Sequence, residues 1–225
     1  MGKPMTDTHK NDETARKPLY AYAETRDWPG YFAATAGRPP RDTLLTALDL
    51  FEKEGIPPAD GERPLAVDLG CGEGRDTAEM LRRGWRVVAI DGHPNAFELL
   101  RARDDIEHWN RLEMRESAFE ECQIPACLLL NASFSLPFCE PQWFSQLWKV
   151  LTLAIVPGGR FSGQLFGPKD SWAKLPDRSH QSRDEVEALF KAFEIEQLTE
   201  EERDGTDCTG QCKHWHVFHI IARKV

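Results

Sequence analysis

Val67-Asp68-Leu69-Gly70-Cys71-Gly72-Glu73-Gly74-Arg75 decides the architecture. A short apolar run ends in alternating glycines, and a helix-forming stretch follows. Such a loop turns sharply and lets a ligand come close to backbone N–H groups at the start of a helix. A dinucleotide fingerprint would need its third glycine at 75, where Arg75 stands. An acid two residues before the first glycine is also foreign to that pattern. Asp68 instead supplies negative charge suited to a ligand with a cationic group. The next apolar run, Arg86–Ile90, ends in Asp91, where a carboxylate can accept both hydroxyls of a ribose. Together the two acids point to a nucleoside-containing, partly cationic ligand.

Outward from this loop the chain alternates strand and helix. Leu65–Leu69 reads as a buried strand, and Arg75–Arg83 as a helix closing at Gly84. Pro94 opens a helix through Leu100. The spacing of about fifteen residues between the first strands suits a right-handed βαβ crossover. Leu112–Glu116 and Cys127–Asn131 are the third and fourth strands. Trp143–Val156 is a helix stopped by Pro157-Gly158-Gly159, and Arg160–Phe166 is the fifth strand. Ser182 with Glu185 forms a capping box ahead of Val186, Leu189, Phe190 and Phe193. Ile195–Arg203 and His214–Ala222 follow each other directly, which predicts an antiparallel hairpin.

Upstream, Asp42 is expected to N-cap a helix carrying Leu44, Leu48 and Phe51, stopped by Gly55 and Pro57-Pro58. Before it lies an aromatic segment, Tyr20, Tyr22, Trp28, Tyr31 and Phe32, ending at Gly37-Arg38-Pro39-Pro40. The expected organisation is a mobile polar tail over 1–17, a helical cap over 18–60 and an α/β domain over 61–225. That domain is a doubly wound, Rossmann-like sheet of seven strands, mostly parallel, with an antiparallel C-terminal strand.

Composition narrows the partners. A net charge of −9 makes nucleic-acid backbones and anionic membrane surfaces poor partners. The longest apolar stretches, Cys127–Leu130 and Leu153–Val156, are far too short to span a bilayer. Met1–Lys17 is polar and of mixed charge, unlike a secretory segment. Six cysteines without an export signal are expected as free thiols in a reducing compartment, hence a cytoplasmic protein, monomer or homodimer.

Asp68-Leu69-Gly70-Cys71-Gly72-Glu73-Gly74 with Asp91 closely resembles the cofactor motifs of class I S-adenosylmethionine-dependent methyltransferases. Asn131-Ala132-Ser133-Phe134-Ser135-Leu136-Pro137-Phe138 and Pro157-Gly158-Gly159-Arg160-Phe161 look most like the small-molecule branch, which includes the tellurite-resistance and thiopurine methyltransferases. The resemblance covers about residues 65–225. It implies S-adenosylmethionine as cofactor and S-adenosylhomocysteine as product. Asp68 and the loop of Gly70, Cys71, Gly72 and Gly74 would lie along the methionine part, with Asp91 on the ribose and Gly92 also against the cofactor. Ser117, Ala118 and Phe119 would flank the adenine; the acid often found there is one residue off, at Glu116. Asn131 would close the fourth strand beside the transferable methyl group. Arg38 would pair with the methionine carboxylate, which its fork fits.

Methyl transfer from a sulfonium is an in-line displacement, so alignment and desolvation of the acceptor matter most. A general base helps only if the acceptor must lose a proton. His214 and His216 share one strand face and are the candidate bases. Trp28, Gln164 and Trp172 are the candidate substrate contacts. Cys208-x3-Cys212-x-His214-x-His216 has none of the strong zinc spacings, so no metal is expected. The acceptor is expected to be a small molecule. The base-methylating Asn/Asp-Pro-Pro-aromatic motif is replaced by Asn131-Ala132-Ser133-Phe134. The competing readings are a non-catalytic adenosyl-ligand-binding domain and an NAD-type oxidoreductase.

Overall fold

The computed structural model describes residues 26–57 and 61–225. The expected tail over 1–17 and the start of the aromatic segment, Tyr20 and Tyr22, lie outside them. Two helices come first, α1 (Trp28–Thr35) and α2 (Asp42–Lys53). The alternating unit follows: β1 (Leu65–Leu69), α3 (Arg75–Arg82), β2 (Arg86–Asp91), α4 (Pro94–Arg101), β3 (Leu112–Glu116) and β4 (Cys127–Ala132). The chain finishes with α5 (Pro141–Ala154), β5 (Ile155–Phe166), α6 (Arg183–Leu189), β6 (Phe193–Thr206) and β7 (Cys212–Lys224).

The strands form one sheet in the order β3-β2-β1-β4-β5-β7-β6. Pairs from β3 through β5 are parallel, and β7 runs antiparallel to both of its neighbours. The order reverses between β1 and β4, which opens a crevice at their carboxyl ends where such folds take ligands. Period-two alternation sorts the side chains into two cores. Val67, Leu69, Val88 and Ile90 pack on one face with Leu147, Trp148 and Leu151 of α5. Ala66, Val87 and Ala89 face the other way, onto Leu44, Leu48 and Phe51 of α2 and Met80 and Leu81 of α3. Helix α2 is therefore a fixed part of the second layer.

Two local expectations are corrected. Arg41, not Asp42, is the N-cap of α2, without a side-chain cap bond, and Asp42 instead places negative charge in the first turn. Helix α5 begins at Pro141 and ends at Ala154, and β5 begins at Ile155. Cys127 pairs with Ile155 but Leu129 pairs with Arg160, so Pro157-Gly158-Gly159 is a bulge within the strand rather than a stop before it. Gly158 takes φ +80° there, a conformation that disfavours any side chain. The capping box of Ser182 and Glu185 stands at the start of α6.

Candidate active site

The glycine loop is strapped to the end of β2. Gly70 and Cys71 donate their N–H groups to the Ile90 carbonyl at 2.7 and 3.0 Å. Gly72 donates to Asp91 Oδ2 and His93 to Asp91 Oδ1, each at 2.9 Å. Asp91 thus braces the loop with one lone pair on each oxygen and keeps the others for a ligand. Burial pushes its carboxyl above the ordinary range, against the pull of those N–H groups. Gly70 has φ +73°, and a Cβ added there would lie 2.3 Å from the Ser135 Cβ, so the turn admits no side chain.

Beneath the loop is a buried polar cluster. Asn131 donates through Nδ2 to Asp68 Oδ1 at 2.9 Å and Asp76 Oδ2 at 3.0 Å. Thr77 donates to Asp68 Oδ2 at 2.6 Å, and Asp76 Oδ1 accepts the Arg41 backbone N–H at 3.0 Å. Burial, with the Asp76 charge beside it, pushes the Asp68 carboxyl up to about 7. A carboxyl raised in the folded state favours folding below its ordinary value and loses that contribution as pH climbs to its own. Without cofactor, the melting temperature of the wild type is therefore expected to fall between about pH 4 and pH 7 more than that of Asp68→Asn. Thermal melts of both proteins across that window check this; parallel curves refute it.

One cavity of about 490 Å³ lies over this floor, within the size range of small-molecule sites. It is lined by Asp68, Gly70, Cys71, Gly72, Asp91, Gly92, Ser117, Ala118 and Phe119, and by Arg38, Trp28 and Trp172. Its far wall is aromatic. Trp28 meets Phe138 at 4.8 Å between ring centroids, and Phe166, Trp172 and Trp215 continue the wall at 5.7–6.3 Å.

Other expected site residues stand elsewhere. Gly74 does not line the cavity; its φ of +83° makes the turn into α3, with Leu100 packed where a Cβ would be. Asn131 is fully buried behind Asp68, so it positions the acid rather than touching a ligand. Gln164 is likewise out of reach: it donates to Thr43 Oγ1 at 2.8 Å and accepts the Phe134 N–H at 3.1 Å, which ties α2 to the loop after β4.

The expectation for His214 and His216 is corrected by the register of β7. Val217 pairs with Phe166, and Trp215 and Val217 line the cavity, so the even-numbered histidines point away from it. His214 pairs with Asp204 at 2.7 Å, which raises its pKa on the exposed side. His216 is buried against Gly167, with Nε2 on Glu200 at 2.9 Å and Nδ1 accepting the Lys169 N–H at 3.2 Å. Neither can take a proton from an acceptor in the cavity.

Several lining residues escape a reading of spacing. Arg41 and Arg75 both face the cavity, as do Asp76, Phe134, Phe138 and Trp215. Arg75 is visible in the sequence as the residue that replaces a glycine; Arg41 carries no such signal. Cys208 lines the mouth while Cys212 is exposed, and no group of three or more His, Cys, Asp or Glu among the described residues is arranged to hold a metal. No described helix is long and apolar enough to cross a membrane.

Comparisons with known proteins fit this geometry. Residues 66–159 match the family described as a methyltransferase domain. The fold is similar to that of TehB from Haemophilus influenzae, with 17% identity, 88% of this chain and 67% of that chain covered, and a TM-score of 0.66. It is also similar to the 1,6-didemethyltoxoflavin-N1-methyltransferase of Burkholderia thailandensis, solved with that compound and S-adenosylhomocysteine, at 18% identity, 100% and 93% coverage and a TM-score of 0.59. The N-methyltransferase NodS of Bradyrhizobium japonicum is similar at 15% identity, 82% and 95% coverage and a TM-score of 0.59. A search of curated proteins returned no match.

Proposed function

We propose that this chain is a class I S-adenosylmethionine-dependent methyltransferase, a reading that the methyltransferase-domain match and the fold support, and that it methylates a small, flat acceptor held against the aromatic wall. One observation carries the reading: the glycine loop braced by Asp91 and the wall of Trp28, Phe138, Phe166, Trp172 and Trp215 enclose a single cavity. Aromatic walls of this kind favour conjugated ligands through offset and edge contacts. A toxoflavin-type heterocycle, the compound bound to the Burkholderia enzyme, is an acceptor of that shape.

The residues present fit the cofactor. Asp91 has lone pairs left for ribose hydroxyls, and Ser117, Ala118 and Phe119 offer a slot beside it for the base. Asp68 and Asp76 line the cavity where a sulfonium and an ammonium would need negative charge, and an arriving cation would favour ionising the Asp68 carboxyl that burial raises. Arg75, 9% exposed and with Nη1 unpaired, is suited to a carboxylate. When bound, S-adenosylmethionine supplies an activated methyl group. The protein's part is to orient the acceptor in line, keep water out and match charge.

Among the described residues, His214 and His216 of β7 face away from the cavity, and the Glu201 carboxylate on the acceptor side is a weak base. Burial works against ionising Glu201, but hydrogen bonds from Arg203 and His219 outweigh it and hold the carboxyl below the usual range. The acceptor therefore brings its own lone pair, as a thiolate, an amine or an already ionised oxygen. The four buried thiols, Cys71, Cys122, Cys127 and Cys139, suit a reducing cytoplasm. The test is calorimetric titration with S-adenosylmethionine, S-adenosylhomocysteine and NADH, then detection of S-adenosylhomocysteine formed with flat acceptors. Micromolar adenosyl binding and acceptor-dependent product are expected. Binding without turnover on any flat acceptor would favour a non-catalytic binder, and preference for NADH would overturn the reading.

A further inference from the structure

We infer that the acceptor is an aromatic acid, anionic at neutral pH, whose charged group is gripped by Arg41. The inference rests on the methyltransferase reading and names the substrate class of that site. Arg41 lies between α1 and α2 with its backbone N–H fixed on Asp76. Its guanidinium stacks over the Phe134 ring at 4.4 Å. Phe134 in turn meets Phe166 at 6.3 Å and Trp215 at 6.4 Å, so the cation sits at the edge of the aromatic wall.

No carboxylate among the described residues pairs directly with that cation, and the nearby Asp76 compensates it only at a distance. Arg26 pairs with Asp177, and Arg203 pairs with Glu201. Arg41, by contrast, forms no ion pair among the described residues; Tyr31 bonds its side chain, and its Nε is buried with no partner. Burial and the neighbouring Arg75 charge disfavour its ionised form, and Tyr31 and the Asp76 carboxylate offset them only in part. A guanidinium held in such a place is stabilised by an arriving anion.

The cofactor's single carboxylate does not account for both arginines. Arg75 opens α3 directly after the glycine loop, with its nearest carboxylate, Glu73, at 3.9 Å, and is the one placed on the methionine side. Arg41 is left facing the acceptor. The acids on that side are engaged elsewhere: Glu201 by Arg203 and His219, and Asp207 Oδ1 by the N–H groups of Thr209 and Gln211. Arg38, exposed at the same cavity, adds charge of the attracting sign.

The experiment uses matched pairs of probes that differ only in charge: naphthoate with naphthamide, and salicylate with salicylamide. Each is titrated into protein saturated with S-adenosylhomocysteine, followed by tryptophan fluorescence. The acids are expected to bind at least about tenfold tighter than the amides, the size of one charge-assisted bond. Arg41→Met is expected to erase that preference while S-adenosylhomocysteine affinity, measured by calorimetry, stays within about threefold of wild type. Equal binding of acid and amide by the wild type overturns the inference. So does a parallel loss of S-adenosylhomocysteine affinity in Arg41→Met, which would assign Arg41 to the cofactor. Failure of the wild type to bind S-adenosylhomocysteine appears in the separate calorimetric measurement and would sink the methyltransferase reading itself. The wild-type comparison stands even if Arg41→Met does not fold.

Discussion

Asp91→Ala is expected to weaken S-adenosylhomocysteine binding by at least about a hundredfold while the protein stays folded. The carboxylate has two jobs at one point. It accepts the Gly72 and His93 N–H groups, one on each oxygen, and so fixes where the glycine loop stands against β2. Its remaining lone pairs lie at the β2 end of the cavity, where a ribose would present its hydroxyls. Two hydrogen bonds to a charged acceptor, each worth about 1.5–3 kcal/mol, set the lower bound. Releasing the loop adds to it. Asp91→Asn should do nearly as badly, because an amide nitrogen would then confront one of two backbone N–H donors. Calorimetry on both variants, beside a thermal melt, decides the matter. An affinity within about threefold of wild type would leave Asp91 as a loop brace with no part in binding.

Much of this arrangement was legible before any coordinates. Leu65–Leu69 and Leu112–Glu116 have the same bounds in sequence and structure, the first as an apolar run before a glycine turn and the second as an alternation of Leu112 and Met114 with charged residues. Local chemistry also placed the Ser182–Glu185 box, whose two bonds close within four residues. Sites built on long-range register were harder to see. Alternation told correctly that His214 and His216 share a face, but which face meets the cavity depends on Val217 standing opposite Phe166. A shift by one residue would have exchanged them for Trp215 and Val217. Gln164 fell on the carboxyl edge as expected, yet Thr43, more than a hundred residues earlier, claims its amide. Arg41 was invisible for a related reason. Only the packing of α2 on the sheet carries a surface-type residue into a buried site.

Arg160 is the most deeply buried ionic anchor of that packing, beside the more exposed pairs of Arg223 with Glu54 and of Arg83 with Asp49 and Glu52. Arg160→Ala is expected to cost about 3 kcal/mol or more. Arg160 stands in β5 just after the bulge and is 1% exposed. Its fork bonds Glu54 at 2.6 and 3.0 Å and Glu196 at 2.7 and 2.8 Å, and it stacks over the Phe51 ring at 4.4 Å. Glu54 caps the end of α2. Glu196 is the residue skipped where β6 shifts register against β7, so the bulge frees it to reach across the sheet. Removing the arginine takes the fork away from Glu196, leaves Glu54 to the more exposed Arg223 at 3.1 Å, and strips the ring of its cover. For a chain of this length the loss corresponds to a melting temperature about 6–12 °C lower. Hydrogen bonding from Arg160 holds the Glu54 carboxyl below its usual range. Its contribution is therefore present above the ordinary carboxylate value and fades on acidification, and the variant should flatten that acid limb. Arg160→Lys cannot fork to both acids and should recover only part of the loss. The decisive comparison is Arg160→Met combined with Glu54→Gln and Glu196→Gln. If unpaired charge causes the damage, the triple variant regains most of the stability in urea melts. If it stays as weak as Arg160→Ala, the loss comes from packing on Phe51, and the ionic anchor of α2 must be given up.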